Sequence, residues 1–237
     1  MPFLRRLLAA LVASPVLADG EAGSPKGRTE YILAVSWQPG FCETRPKRKE
    51  CAGQTAERYD ATHFSLHGLW PMKKSYCGVA ADTRRATGWN CRNWRWPKKR
   101  RRNSRSPCRE RNQVSTGING FAGTCQGGTA QDDFAVQLRL LDELNGSAVR
   151  SLFTEPLGQE VTEGEVKQAF ETSFGKGAGD RVRMRCQKAR PRSVITGLTI
   201  GLSGNVSAGA GLSPLILAAG ETDLKCGSGI VDAAGIQ

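Results

Sequence analysis

The sequence predicts an α+β fold, and three observations carry that prediction. Two runs rich in β-forming residues, Tyr31 to Trp37 (YILAVSW) and Ser193 to Leu202 (SVITGLTIGL), read as buried strands. Between them, Asp132 to Leu144 places Phe134, Leu138 and Leu141, with Val136 and Leu140 alongside, at helical spacing. The two kinds of segment are mixed without the strict alternation of a parallel βαβ protein. Size and composition agree: 237 residues, 39% apolar and 24% charged, bury a sizeable core and exclude wholesale disorder. No apolar run approaches the roughly 18 residues of a membrane span, and no fixed-period repeat is present.

Along the chain, Met1 to Ala18 has the order of a secretory signal peptide. Arg5 and Arg6 supply the positive start, Leu7 to Val12 the apolar stretch, and Ala18 a small residue before the cleavage point. An amphipathic first helix is the alternative. Export fits eight cysteines that include no zinc-type Cys-x-x-Cys pair, so a secreted or periplasmic disulfide protein is expected, with residues 19–237 as one domain.

The strand at 31–37 stops at Pro39 and Gly40, and a basic loop from Phe41 to Gly53 follows, flanked by Cys42 and Cys51. Phe64 to Trp70 is a second apolar run, ended by Pro71. Thr162 with Glu165 forms a capping-box pattern that opens a helix through Val166, Ala169 and Phe170 to Phe174, stopped by Gly175 and Gly177. Arg181 to Cys186 alternates Val182, Met184 and Cys186 against arginines, a half-buried strand. Leu212 to Ala219 reads as a further strand.

Charge is concentrated. The chain carries 34 Lys and Arg against 22 Asp and Glu, a net of +12. Arg92 to Arg111 holds ten basic residues and one acid, Glu110, so +9 of the total lies in that block. A protein basic all over points to a polyanion partner. This chain is nearly neutral with one anomalous stretch. The stretch WRWPKKRRRNSRS interleaves tryptophan with arginine, as binders of single-stranded nucleic acid do, and a solvated loop is the bland alternative.

The chemistry centres on His67-Gly68-Leu69-Trp70-Pro71. It sets an imidazole, whose unperturbed pKa lies near neutrality, beside a large flat ring. Phosphodiester cleavage through an internal 2′-hydroxyl needs such a proton-transfer group, an aromatic surface, and donors around the phosphate. A structural histidine is the alternative. The chain's other histidine, His63, lies four residues earlier and reads as a surface or structural residue; on a strand that offset would share a face with His67, whereas a turn would not.

The run FSLHGLWP resembles the first catalytic segment of the ribonuclease T2 family. LAVSWQPGFC at 33–42, SYCGV at 75–79, GTC at 123–125 and the tail from Cys186 to Cys226 are also similar to that family. The resemblance implies an α+β fold with a central antiparallel sheet flanked by helices. It implies endonucleolytic cleavage of single-stranded RNA through a 2′,3′-cyclic phosphate, without metal or other cofactor. His67 would be a catalytic acid/base and Trp70 would line the substrate site. Disulfides would join Cys42 with Cys51, Cys77 with Cys125, and Cys186 with Cys226. RNA is the expected partner of a monomer with no obligate protein partner and no membrane association.

The second catalytic segment departs from the family's H-E-W-x-K-H-G-T-C pattern. Anchored on Gly123-Thr124-Cys125, its two His positions fall on Gly117 and Ala122, its Glu on Ile118 and its Lys on Phe121. None of these transfers a proton or holds a phosphate. The basic block ends where this segment begins. Shifting the codons by one base from Trp89 onward permits a chain that begins WELPxLALAEE, loses the arginine run and restores His and Trp just before Gly123; Ile118 excludes Glu and permits Gln or Lys. A compensated frameshift across roughly 90–122 is therefore expected, with a genuine basic insertion as the alternative. Cys91 and Cys108, both inside the block, are left over and would form a fourth bridge if they pair. Two functions follow: a T2-type endoribonuclease impaired as written, or a catalytically inactive RNA-binding protein that uses the basic block.

Overall fold

A computed structural model describes residues 27–73, 130–206, 209–222 and 226–235. The leader, the basic block, Cys77, Cys91, Cys108 and the segment ending at Cys125 lie outside the described residues.

β1 (Tyr31–Ser36) turns at Trp37 into α1 (Gln38–Thr44), and β2 (Ser65–Pro71) returns beside β1. The strand ends before Pro39 as expected, but the loop expected from Phe41 to Gly53 is corrected: its first residues, with Pro39 and Gly40, form a helix. Pro39 sits in the first turn of α1, where its fixed φ suits a helix and its missing N–H costs nothing. At Gly40 the backbone passes very close to the sheet. A Cβ there would lie 2.1 Å from the Ile195 carbonyl oxygen, so only glycine lets α1 press on the strand beneath. Cys42 in α1 is bridged to Cys51, Cα–Cα 5.3 Å, as the resemblance implied.

Among the described residues, helices later in the chain cover one face of the sheet. α2 (Ala130–Asn145) and α3 (Ala148–Thr154) precede the short β3 (Glu160–Thr162), which runs into α4 (Glu163–Phe174). The capping box is present: Glu165 N–H donates to Thr162 Oγ1 at 3.3 Å, and Thr162 N–H donates to Glu165 Oε2 at 2.8 Å. β4 (Val182–Ala189) and β5 (Arg192–Leu202) form a hairpin through the cis peptide bond Arg190–Pro191. Cys186 on β4 is bridged to Cys226.

The stretch from Leu212 is a correction. It forms a helix, α5 (Leu212–Leu217), and not a strand. Leu212, Leu215 and Ile216 are buried at helical spacing. Pro214 suits a first helical turn and would spoil a ladder. Glu143 accepts from Leu212 N–H at 2.6 Å, so a carboxylate from α2 caps the new helix. Three short elements carry too little pattern to be read from the residues: α3 and the two three-residue strands, β3 and β6 (Ser228–Ile230).

Among the described residues the sheet runs β2-β1-β5-β6-β3, with β4 on the other edge of β5. Among the described residues every pairing is antiparallel, as expected of the central sheet, except that β5 also pairs parallel with the short β6. Leu33, Val35, Leu69, Met184, Leu198 and Ile200 point from the strands into the core that α2 to α5 close. At its centre Trp37, Phe64 and Phe153 are fully buried with ring centroids 4.8–5.5 Å apart. Among the described residues no helix is long and apolar enough to cross a membrane.

One polar contact fixes the entry to β2. Asn145, the last residue of α2, accepts from Phe64 N–H at 2.9 Å and donates to the Phe64 carbonyl at 3.0 Å. Its amide acts as a one-residue strand partner. Replacing it with Ala leaves both backbone groups unpaired in a buried place. Urea unfolding of Asn145→Ala is expected to show a loss of about 1–3 kcal/mol for each group that stays dry; a variant as stable as the parent would mean that water replaces the amide.

Candidate active site

The site is built on the sheet face opposite the core. Along β1 the residues alternate, Leu33 and Val35 inward, Ile32, Ala34 and Ser36 outward. β2 pairs with it as Trp70 to Ile32, Leu69 to Leu33 and Gly68 to Ala34, then skips: Leu66 stands opposite Val35 and Ser65 opposite Ser36. His67 is the extra residue, an unpaired bulge. The bulge sets the imidazole beside Trp70, edge to face, with ring centroids 5.3 Å apart and planes at 75°. Both residues singled out from the motif are therefore brought together. The Trp70 indole Nε1 is buried and has no hydrogen-bond partner among the described residues.

Across β1 and β5 the same face continues. Thr199 stands opposite Ala34 and Arg183 opposite Thr199; Gly197 stands opposite Ser36 and Arg185 opposite Gly197. Between His67 and Arg185 the floor is thus made of Ser36, Ala34, Gly197 and Thr199, all small. Gly197 cannot be larger: with φ at +155° a Cβ would lie 2.2 Å from the Val35 carbonyl oxygen. A cavity of about 400 Å³ runs along β4, lined by Arg183, Arg185, Gln187, Thr196, Thr199 and Cys226.

Burial holds the His67 pKa below its ordinary value, and the positive charge of Arg185 pushes it further down. The ring is therefore a neutral base at neutral pH. Arg183 is tied down, donating to Thr222 Oγ1 at 2.9 Å. Arg185 is exposed, and no carboxylate among the described residues pairs with it.

His63 belongs elsewhere. It sits on the turn before β2, so the strand-offset argument that would have shared a face with His67 does not apply. Its ring stacks on Tyr59 at 3.9 Å, and Arg150 donates to its Nε2 at 3.3 Å. Nε2 must then accept, so Nδ1–H donates to the Tyr59 carbonyl at 3.1 Å, which fixes a neutral tautomer. Burial lowers the His63 pKa, and Arg150 adds to that against the Tyr59 hydrogen bond. This is a structural histidine, the reading the sequence favoured. The positions aligned with the family's second segment, Gly117 to Ala122, lie outside the described residues.

Arg185 is a residue of this face that sequence reasoning did not single out. The alternation of Val182, Met184 and Cys186 with arginines is visible, and it places those arginines opposite the core. What it lacks is the sheet order that sets this strand across from His67.

No protein-family model matches the chain. The α+β architecture that carries the bulged histidine and its tryptophan nonetheless has the ribonuclease T2 fold. The crystal structure of RNase NT in complex with 5′-AMP superimposes with a TM-score of 0.57 at 16% identity, covering 88% of this chain and 99% of that one. Human RNase T2 gives 0.55 at 16% identity, covering 87% and 100%. In sequence the chain is similar to Ribonuclease I of Escherichia coli K12, 27% identical over 185 residues that span 66% of this chain and 69% of that protein. It is 40% identical to a Ribonuclease of Aeromonas hydrophila over 70 residues, which span only 29% of this chain and 28% of that protein. The chain thus shares the ribonuclease T2 fold and is similar in sequence to these two ribonucleases.

The depressed pKa values have a measurable consequence. A histidine whose folded pKa lies below its unfolded one favours the native state fully above the unfolded value, near 6.5, and loses that contribution as pH falls through the folded value. Proton NMR of the two histidines, assigned with His63→Asn, should give midpoints below 6.5 for both, and urea stability should decline as the pH is lowered from there. A His67 midpoint at or above 6.5 would show an acidic neighbour supplied by the rest of the chain.

Proposed function

We propose that this chain is a secreted or periplasmic protein acting on single-stranded RNA, built as a metal-independent endoribonuclease with His67 as acid/base. One observation carries this reading: His67 stands out of a strand bulge, neutral, against Trp70, on a sheet face that also bears Arg185, an arginine with no carboxylate partner among the described residues. In the reaction the 2′-oxygen attacks the adjacent phosphorus and the 5′-oxygen leaves, giving a 2′,3′-cyclic phosphate. One proton is removed from the 2′-hydroxyl and one is delivered to the leaving oxygen, so two proton transfers are needed. His67 serves one of them. Trp70 offers a flat surface for a base. The proposed molecule comprises a signal peptide at 1–18 and one domain at 19–237, acts as a monomer, and carries a third bridge between Cys77 and Cys125.

In this reading the block at 90–122 is an anomaly that removed the partner of His67. General acid–base groups each contribute typically 10²–10⁴-fold, and donors to the developing charge roughly 10²–10³-fold. With several missing, cleavage by the chain as written should fall at least about four orders of magnitude below that of a complete T2 enzyme, allowing for non-additivity. The second reading, an inactive RNA-binding protein that uses the basic block, is favoured by His63: the only other histidine is held at Tyr59 and Arg150, away from the site.

One experiment separates the two. Residues 90–122 are replaced by the neighbouring-frame sequence, which restores His before Gly123, and cleavage of labelled single-stranded RNA is followed in EDTA. The endoribonuclease reading expects activity to appear, with a 2′,3′-cyclic phosphate product, and His67→Ala to abolish it. Family-like rates from the chain as written would mean that other residues complete the site. Persistent inactivity of the restored chain, with RNA still bound in a steeply salt-dependent way, would favour the binding protein.

A further inference from the structure

Among the described residues, the face that carries His67 has one arginine with no structural duty. Arg181 donates to the Gly177 and Ala219 carbonyls, and Arg183 to Thr222, so both hold the fold. Arg192 pairs with Glu43 and Asp232 beyond the hairpin. Arg185 is exposed on the edge strand, aligned through Gly197 and Ser36 with Ser65, two residues before His67. Three strand spacings separate the two ends, roughly 14 Å between backbones. Nothing larger than Thr or Ser rises between them along those rows. No described acid lines the cavity along β4. A span of that width, floored by small residues, with an imidazole at one end and a guanidinium at the other, suits one tetrahedral anion held from both sides.

We propose that Arg185 is the phosphate-holding residue of this site, closing with His67 on one phosphodiester of single-stranded RNA laid over Ser36, Ala34, Gly197 and Thr199. The inference rests on the RNA-directed reading above and adds to it the residue that binds the anion. The guanidinium fork suits two phosphate oxygens at once. Its position explains how the chain retains an anion site although the family's Lys position falls on Phe121. The same charge already acts on the imidazole, adding to burial in disfavouring its protonated form, and a bound phosphate would offset it. Thr196 and Gln187, which line the cavity beside Arg185, present further polar groups to the strand.

The test uses the full chain and a 2′-O-methyl trinucleotide, which lacks the attacking hydroxyl and so reports binding without cleavage. Binding is followed on the His67 ring protons, which report this site. In the parent the trinucleotide should move the His67 signals and raise its midpoint. Arg185→Ala should weaken that binding about 10- to 100-fold, the range for a charged hydrogen bond, and lower the salt slope by about 0.7, the value for one phosphate on a single strand. Without ligand the same variant should raise the His67 midpoint. Arg185→Lys should keep the salt slope and recover part of the affinity.

Equal affinity and an unchanged His67 midpoint in Arg185→Ala would overturn the proposal, as would His67 signals in the parent that ignore the trinucleotide. Failure of the cleavage reading is distinct: a restored chain that never cuts RNA while Arg185 still governs binding at His67 leaves this assignment standing.

Discussion

Two leucines three residues apart dictate the geometry of the site. Leu66 and Leu69 both pack toward the core, opposite Val35 and Leu33. On a regular strand an odd offset sends side chains to opposite faces. The chain satisfies both only by inserting one unpaired residue between them, and that residue is His67. Burial of apolar surface, worth about 25 cal/mol per Å², thus forces the histidine out of the ladder and turns it toward Trp70. The catalytic candidate is placed by the demands of the core behind it. β5 repeats the device. Ile195 and Leu198 are both buried, again three apart, and the ladder to β4 slips there, leaving Thr196 extra between partners of Cys186 and Arg185. The two irregularities flank the floor of small residues on either side.

That floor explains the electrostatics. Gly197 and Ala34 keep the surface low between the bulge and the edge strand, so the charge of Arg185 acts on the imidazole with no side chain of opposite sign between them among the described residues. Burial and a like charge work in the same direction, and both disfavour the imidazolium. A histidine that must accept a proton near neutral pH benefits from this. One that must donate a proton does not, which is why a partner of different protonation state is required for the second transfer.

Much of the frame was legible in the residues. β1, β2, α2, α4 and the β4–β5 pair follow from apolar periodicity and a capping box, signals that are local. The failures have physical causes. Leu212 to Ala219 looked like a strand because its apolar residues are dense; the spacing of Leu212, Leu215 and Ile216 and the presence of Pro214 were the better guides. α1 was hidden because Pro39 and Gly40 read as a stop, whereas the close pass of Gly40 over Ile195 is a tertiary fact. The pairing of β5 with β6 through Val194 and Ile230 spans residues too few to carry a pattern. For the site, His67 and Trp70 were legible from the motif. Arg185 needed the strand order, which no local pattern contains.

Strand alternation separates what holds this protein together from what it does. Leu33, Leu69, Met184, Leu198 and Ile200 face the helices; Ala34, Trp70, Arg185, Gly197 and Thr199 occupy alternate positions and face away. Trp37, Phe64, Phe153 and the helix stripes of α2 and α4 complete a packed core from residues on either side of the anomalous block. The core and the candidate site are served by different residues of the same strands. The strands that bury Leu33, Leu69, Met184, Leu198 and Ile200 thereby leave His67, Trp70 and Arg185 on the opposite face of the sheet.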